Sequence, residues 1–174
     1  MIRLLLLLLL TTSLYAKISP AQISTLQSVR DAAKGIQDYR GVTYENTLSA
    51  ICLTESSAGV YVVGDVKKGK SLTKASLGAM QIKVSTAKHI AKLTPSLRYL
   101  LKYSDQKIAT ILLTDIKTSV RIAAHYLVRL KKNRKKFYYM VSGYNGGWSN
   151  KPYYKRVMKN YRTVAMLVKK GHLN

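Results

Sequence analysis

Apolar residues recur every three or four positions over most of this 174-residue chain, which is the period of amphipathic α-helices. The first predicted helix has clear limits, because Ser19-Pro20 is a cap followed by a first-turn proline and Gly35 is a stop signal. The same period predicts further helices at 44–57, 79–91, 97–103, 105–113, 116–132, 137–141 and 152–169, with Ser104 as a cap. We therefore expect an all-α protein with one domain and a core of ordinary size.

Two stretches lack the helical period. Residues 59–74 are rich in lysine and glycine, and their pattern is compatible with a short hairpin or a long loop. Residues 143–150 contain three glycines and are predicted to form a second loop. Trp148 in that loop either stacks on a ligand or packs against the domain, and the sequence does not decide between the two.

Residues 1–16 stand apart from this pattern. Ile2-Arg3 is a positive start, residues 4–10 are an unbroken leucine run, and Ala16 is a small residue suited to cleavage. The run is too short to span a bilayer comfortably. We expect a signal peptide at 1–16, with an uncleaved anchor as the alternative, and an exported domain at 17–174 that has no stable membrane anchor.

The chain is strongly basic, with 30 Lys and Arg against 7 Asp and Glu, so its formal net charge is +23. Loss of Arg3 with the leader would leave +22. Such a charge attracts polyanions, but it does not choose among wall polymers, anionic membranes and nucleic acid. The basic residues are scattered along the chain, so no nucleic-acid partner is expected.

Cysteine and histidine usage argues against metal or thiol chemistry. The single cysteine, Cys52, cannot form an internal disulfide and has no basic neighbour to activate it, so we interpret it as a small buried hydrophobe. The three histidines, His89, His125 and His172, are far apart and lack the spacing of a metal site. We expect no metal and no cofactor.

Glu55 is one of only two glutamates and ends the second predicted helix, on the face that carries Tyr44, Leu48, Ile51 and Cys52. No Lys, Arg or His lies within one helical turn on either side. A carboxylic acid in an apolar setting tends to have a raised pKa and to keep its proton, as a general acid must. Glu55 is therefore the candidate acid catalyst.

Four segments occur in a characteristic order. Glu55-Ser56 ends a helix, SLGAMQI follows at 76–82, the 115–127 helix ends in Tyr-Leu, and SGYNGG occupies 142–147. Together they resemble the soluble lytic transglycosylase (SLT) domain family, a relative of goose-type lysozyme that cleaves the glycan strands of peptidoglycan. The resemblance covers 44–161 and implies a lysozyme-like fold.

The resemblance also implies roles for individual residues. Glu55 would be the catalytic acid. The substrate-binding residues would be Ser56, Met80, Gln81, Tyr144 and Asn145. The chain departs from the family pattern at three positions: Gly143 replaces the usual Ala before Tyr144, and Ser119 and Ala123 replace the usual Asn and Gly of the long helix.

The reaction that this resemblance implies uses one carboxyl group. Glu55 would protonate the bond between N-acetylmuramic acid and N-acetylglucosamine and then act as base for the C6 hydroxyl, giving a 1,6-anhydro product. A hydrolytic muramidase is the first alternative and needs a second carboxylate, for which Asp65 is the only candidate, although a turn aspartate is its simpler interpretation. A non-catalytic basic protein that binds the cell wall is the second.

The expected partner is the peptidoglycan glycan strand. The domain is expected to be monomeric and to act in the periplasm or cell-wall space. Envelope-spanning secretion or conjugation machinery is a partner class that such an enzyme would serve.

Overall fold

The computed structural model describes residues 18–64 and 71–174. They form seven α-helices and a two-stranded sheet, which confirms the expected all-α, lysozyme-like class with a small hairpin. The helices are α1 (Pro20–Ala33), α2 (Glu45–Ser56), α3 (Val84–Leu93), α4 (Asp105–Thr114), α5 (Ile116–Arg134), α6 (Phe137–Tyr144) and α7 (Lys151–Lys169). The strands are β1 (Val63–Gly64) and β2 (Ser76–Leu77), and short 3-10 helices lie at Leu72–Lys74 and Pro95–Lys102. The expected leader at 1–16 and Asp65 both lie outside the described residues.

Polar caps set where several helices begin. The Ser19 hydroxyl accepts a hydrogen bond from the Gln22 backbone N–H at 3.3 Å, and the Gln22 side chain accepts one from the Ser19 N–H at 2.9 Å. This reciprocal pair is a capping box and starts α1 at the predicted proline. Ser104 caps α4 as predicted, and Asn150 caps α7 by accepting a bond from the Tyr153 N–H at 3.0 Å.

Helix α2 lies at the centre of the core. Residues 47–52 and Ser56 are all buried. The helix packs most extensively against α7, and next against α1. Because α2 is enclosed on nearly every side, its last turn is held firmly, and this turn carries Glu55.

Helix α5 forms the second scaffold of the domain and packs against α1, α4 and α6. Ser119 and Ala123, where the family more often shows Asn and Gly, are both completely buried. The two departures therefore do not prevent close packing of this helix.

Along the chain, the two strands of the sheet lie between α2 and α3. Val63 pairs with Leu77 and Gly64 with Ser76 in antiparallel register. After β2 the chain turns back at once, so that Leu77 also bridges Ile82. Gly78 makes this turn possible, because its φ is +73° and an added Cβ would lie 1.9 Å from the Leu112 carbonyl oxygen in α4.

Three predicted elements need correction. The helix expected at 79–91 begins only at Val84, because Gln81 has a left-handed φ of 49° and residues 79–83 form a turn. The piece expected at 137–141 continues through Tyr144, so Gly143 and Tyr144 belong to a helix and not to the following loop. The 97–103 segment is a 3-10 helix that begins at Pro95.

Candidate active site

Glu55 lies in the last turn of α2 and is partly buried. The helix ends directly after it, where Ser57 adopts a left-handed φ of 53°. The hydroxyl of Tyr153, in the first turn of α7, donates a hydrogen bond of 2.6 Å to Glu55 Oε1. Helices α2 and α7, which make the most extensive helix contact in the domain, are therefore also joined by a direct hydrogen bond to the carboxyl group.

Tyr153 is suited to hold that carboxyl group because its hydroxyl stays protonated. The residue is only 1% exposed. Burial, the negative charge of Glu55 and the hydrogen bond to it raise the pKa of the Tyr153 phenol far above its ordinary value. The phenol therefore stays protonated at neutral pH and acts as a hydrogen-bond donor.

An open cleft of about 210 Å³ adjoins Glu55. Four of the predicted site residues line it, namely Glu55, Gln81, Tyr144 and Asn145. The lining also includes Ser76, Ile82, Lys83, Thr86, Tyr126 and Gly146. Among the described residues that line the cleft, Glu55 is the only carboxylic acid.

Tyr144 forms part of the cleft wall from the end of α6. Its hydroxyl donates a hydrogen bond of 2.9 Å to the carbonyl oxygen of Met80, and burial raises the pKa of the phenol well above its ordinary value. Its ring lies 5.5 Å from that of Tyr126, whose hydroxyl donates to the Gly143 carbonyl at 3.1 Å. The two tyrosines therefore join α5, α6 and the 79–83 turn into one wall.

Met80 does not line the cleft, contrary to the expected sugar contact. Its side chain is completely buried, and only its backbone takes part in the site, by accepting the bond from Tyr144. The turn that places the next residue in the cleft buries Met80 in the core. Met80 thus lies behind the cleft, directly before Gln81.

Gln81 projects into the cleft from its left-handed turn. Its side-chain amide donates to the Gly78 carbonyl at 3.0 Å and to the Tyr61 carbonyl at 3.3 Å. An added Cβ on Gly64 would lie 2.2 Å from Gln81 Oε1, so the glycine in β1 leaves the space that this amide occupies. Residues that flank the two strands of the small sheet therefore orient Gln81.

Ser56 is also placed behind the cleft, where it cannot make the expected substrate contact. It is completely buried, and its hydroxyl donates to the Ala79 carbonyl at 2.7 Å and accepts from the Gly59 N–H at 2.8 Å. These bonds join the end of α2 to the 79–83 turn. Ser56 thus sets the distance between Glu55 and Gln81.

Asn145 follows α6 and is exposed at the cleft edge. Its side-chain oxygen accepts a hydrogen bond of 3.0 Å from the amide of Asn150. Asn150 also caps α7, which carries Tyr153 one turn later. Asn150 therefore links Asn145 at the cleft edge to Tyr153 at the start of α7.

Gly143 replaces the family's alanine for a reason that the structure supplies. An added Cβ would lie 2.7 Å from the central carbon of the Arg134 guanidinium. Arg134 in turn donates hydrogen bonds to the carbonyls of Gly147, at 2.5 Å, and of Tyr139 and Trp148, each at 3.2 Å. The missing methyl group therefore leaves room for a guanidinium that fastens the loop.

Cys52 lies one turn before Glu55 on α2 and is completely buried. Burial raises the pKa of its thiol to about 12, although a weak contact with the Ser56 hydroxyl opposes the change. This confirms the interpretation of Cys52 as a small buried hydrophobe.

Sequence reasoning missed Tyr153, the direct partner of Glu55. The available signal was its position on the apolar face of α7, in line with Val157 and Val164, where a buried hydroxyl requires a partner. Lys83 and Thr86 carried no comparable signal, because the segment around them was interpreted as continuous helix.

Within 18–64 and 71–174, no three His, Cys, Asp or Glu side chains come close enough together to hold a metal ion. None of the helices in those ranges combines the length and the apolar character that crossing a bilayer requires.

The structure combines a helical, lysozyme-like fold with an acid that a buried tyrosine holds at an open cleft. The family model of the transglycosylase SLT domain matches residues 35–165, which is most of the chain, and the protein belongs to this family. The match indicates peptidoglycan cleavage of the lytic transglycosylase type and is consistent with action outside the cytoplasm. No curated protein and no solved structure matches the chain.

Proposed function

We propose that this protein is a lytic transglycosylase that cleaves the β-1,4 bond between N-acetylmuramic acid and N-acetylglucosamine, with Glu55 as its acid and base. The observation that carries the proposal is the contact of 2.6 Å between Tyr153 and Glu55 at the cleft. It supports a carboxyl group that is held in one orientation beside an open groove, as transfer of a proton to a bound polymer requires.

In the first step, the Glu55 carboxylic acid gives its proton to the glycosidic oxygen. The bond from that oxygen to C1 of the muramic sugar breaks, and the N-acetylglucosamine leaves with a free hydroxyl. Positive charge develops at C1, where the sugar's own acetamido oxygen stabilises it. Tyr153 stabilises the Glu55 carboxylate that remains, because it donates a hydrogen bond to Oε1.

In the second step, Glu55 takes the proton of the C6 hydroxyl, and O6 bonds to C1. The product is a 1,6-anhydro ring, Glu55 is protonated again, and no water is consumed. Glu55 is the only carboxylic acid in the described part of the cleft lining, and it is therefore assigned both proton transfers.

Gln81, Tyr144 and Asn145 are the proposed substrate-contacting residues, since all three line the cleft. Ser56 and Met80 are buried and act through position alone.

Digestion of purified peptidoglycan followed by mass spectrometry of the fragments tests the proposal. We expect anhydro fragments, each lighter by one water than the product of hydrolysis. Glu55→Gln should abolish their release and keep the fold, as measured by circular dichroism. Reducing-end fragments would instead support the hydrolytic alternative with Asp65. Undiminished cleavage by the Glu55→Gln variant would refute the role of Glu55.

The non-catalytic alternative makes a different prediction. Binding driven by the net charge of +22 that remains after loss of Arg3 would weaken steeply with salt and survive loss of Glu55, with no cleavage under any condition. A sedimentation assay with insoluble peptidoglycan at increasing salt measures that binding independently of cleavage.

The remaining expectations are part of the same proposal. They are a signal peptide at 1–16, export to the periplasm or cell-wall space, a monomeric state, and service to an envelope-spanning machine. N-terminal sequencing of the exported protein would test the cleavage site after Ala16.

A further inference from the structure

The loop at 145–150 carries an exposed aromatic residue beside the cleft. Trp148 is 64% exposed, although tryptophan ordinarily buries most of its surface in a folded domain. It lies two residues after Gly146, which lines the cleft. A chain advances at most about 3.8 Å per residue, so the Trp148 backbone lies within about 8 Å of the cleft edge.

Trp148 is held in place although it is exposed. The Arg134 guanidinium lies 4.9 Å from the centre of the indole ring, and the Tyr139 ring lies 5.9 Å away at an angle of 33°. Arg134 also donates a hydrogen bond to the Trp148 carbonyl. We call the surface formed by Trp148, Tyr139 and Arg134 the Trp148 platform.

The rest of the loop is equally constrained. Tyr138 and Ser149 share a hydrogen bond of 2.6 Å between their hydroxyls, and Asn150 bonds to Asn145 at 3.0 Å. A surface that is already ordered loses little conformational entropy when a ligand binds to it. The loop therefore has the rigidity of a binding surface.

The chemistry of the platform suits a sugar ring. A cation lies over the indole ring, and the exposed fraction of 64% leaves much of the Trp148 surface open to solvent. An aromatic face carries partial negative charge and attracts the partly positive C–H groups that a pyranose presents on its flatter side. Arg134 directs one guanidinium nitrogen to three backbone carbonyls and lies over the indole ring, so it holds the ring in place for a ligand.

We propose that the Trp148 platform is a binding subsite for an N-acetylhexosamine of the glycan strand, outside the cleft that holds the bond to be cleaved. The inference rests on the proposed action on glycan strands, and it adds a residue outside the motifs that define the family resemblance. A strand that lies in the cleft and continues past Gly146 meets the platform next. The subsite thereby favours long strands over short ones.

The test uses a property of the chain, namely that Trp148 is its only tryptophan. Intrinsic tryptophan fluorescence therefore reports on the platform alone. The protein with Glu55→Gln is titrated with N-acetylglucosamine hexamer and with peptide-free glycan strands, and binding is measured in parallel by calorimetry. We expect the emission to shift to shorter wavelength and to saturate at the concentration that calorimetry gives.

Substitutions test the contribution of the ring. Trp148→Ala should weaken binding of the hexamer by about two- to tenfold, the range expected from one aromatic stacking contact, whereas Trp148→Phe should retain most of it. In the enzyme with Glu55 intact, Trp148→Ala should raise KM on long strands and leave kcat nearly unchanged. Tyr39→Ala is the matched control, because Tyr39 is 62% exposed and does not line the cleft.

The possible outcomes separate the subsite from the proposed function. Equal affinity in Trp148→Ala, absence of any sugar binding, or silent fluorescence during calorimetric binding overturns the subsite. If anhydro fragments are released while the fluorescence stays silent, the subsite alone is wrong. If Trp148 reports sugar binding while no fragments are released, the subsite stands and the proposed activity is wrong.

Discussion

Removing the hydroxyl of Tyr153 tests whether the orientation of Glu55 depends on this single contact. Tyr153→Phe deletes the donor that lies 2.6 Å from Glu55 Oε1 and leaves the ring in a site that is only 1% exposed. No cavity forms beyond the volume of one oxygen atom. The change therefore acts on the carboxyl group and hardly at all on the packing of α7 against α2.

The size of the effect follows from the kind of hydrogen bond that is lost. A bond to a charged group contributes about 1.5–3 kcal/mol. In the proposed mechanism Glu55 becomes negative as it gives up its proton, so this bond is strongest in the transition state. We expect kcat to fall by about 10- to 150-fold if the whole contribution is lost there.

The pH dependence should change in a definite direction. The Tyr153 hydroxyl stabilises the ionised carboxylate more than the protonated acid, so its loss lets Glu55 keep its proton to higher pH. The alkaline limb of the kcat profile should therefore move to higher pH. Tyr153 itself cannot produce this limb, because burial and Glu55 raise its pKa far above the ordinary range.

The assay is the release of soluble fragments from purified peptidoglycan, measured as a function of pH for both proteins. Tyr154→Phe is the matched control, since it removes a hydroxyl from the next residue of α7, whose ring contacts Phe137 and Tyr138 and not Glu55. A Tyr153→Phe enzyme with the wild-type kcat and an unmoved alkaline limb would contradict the proposed use of this bond.

Three further predictions concern the scaffold. Gly78→Ala should lower the free energy of unfolding by at least about 3 kcal/mol in chemical denaturation, because φ is +73° and the new Cβ would overlap the Leu112 carbonyl; near-wild-type stability would contradict this. Gly143→Ala should destabilise the protein with Arg134 present but much less in an Arg134→Ala background, and purely additive effects in this double-mutant cycle would show that the two residues are not coupled. Cys52 should resist thiol reagents at neutral pH until the protein is unfolded. Burial raises the pKa of its thiol from 9.0 to about 12. The contribution of the neutral thiol to the free energy of unfolding should therefore be complete below pH 9.0 and decline as the pH rises towards 12.

The helix starts that the sequence marked most directly are those with local start signals. Ser19 followed by Pro20, and Ser104 before the fourth helix, mark boundaries that the structure places at the same residues. Such caps act through hydrogen bonds within a single turn, so the neighbouring sequence contains the whole cause. The interpretations of Glu55 as a residue at a helix end and of Cys52 as a buried hydrophobe rested on equally local patterns.

The errors occurred where distant contacts decide the backbone. The turn at 79–83 exists because Gly78 lies against α4 and the Tyr144 hydroxyl holds the Met80 carbonyl. Its apolar residues have helical spacing, so periodicity alone indicates a helix there. The same applies to Tyr144, which continues α6 because packing against Tyr126 favours it.

The amino-acid sequence by itself determined the helical class, the likeness to the SLT family and the choice of Glu55, because each depends on residue type and spacing along the chain. Only the tertiary structure decided what surrounds Glu55. Tyr153 is 98 positions away in sequence and reaches the carboxyl group because α7 packs on α2. Ser56 is turned into the core by its hydrogen bond to the Ala79 carbonyl, and Met80 by the turn that the Tyr144 hydroxyl holds, and neither contact can be foreseen from spacing along the chain.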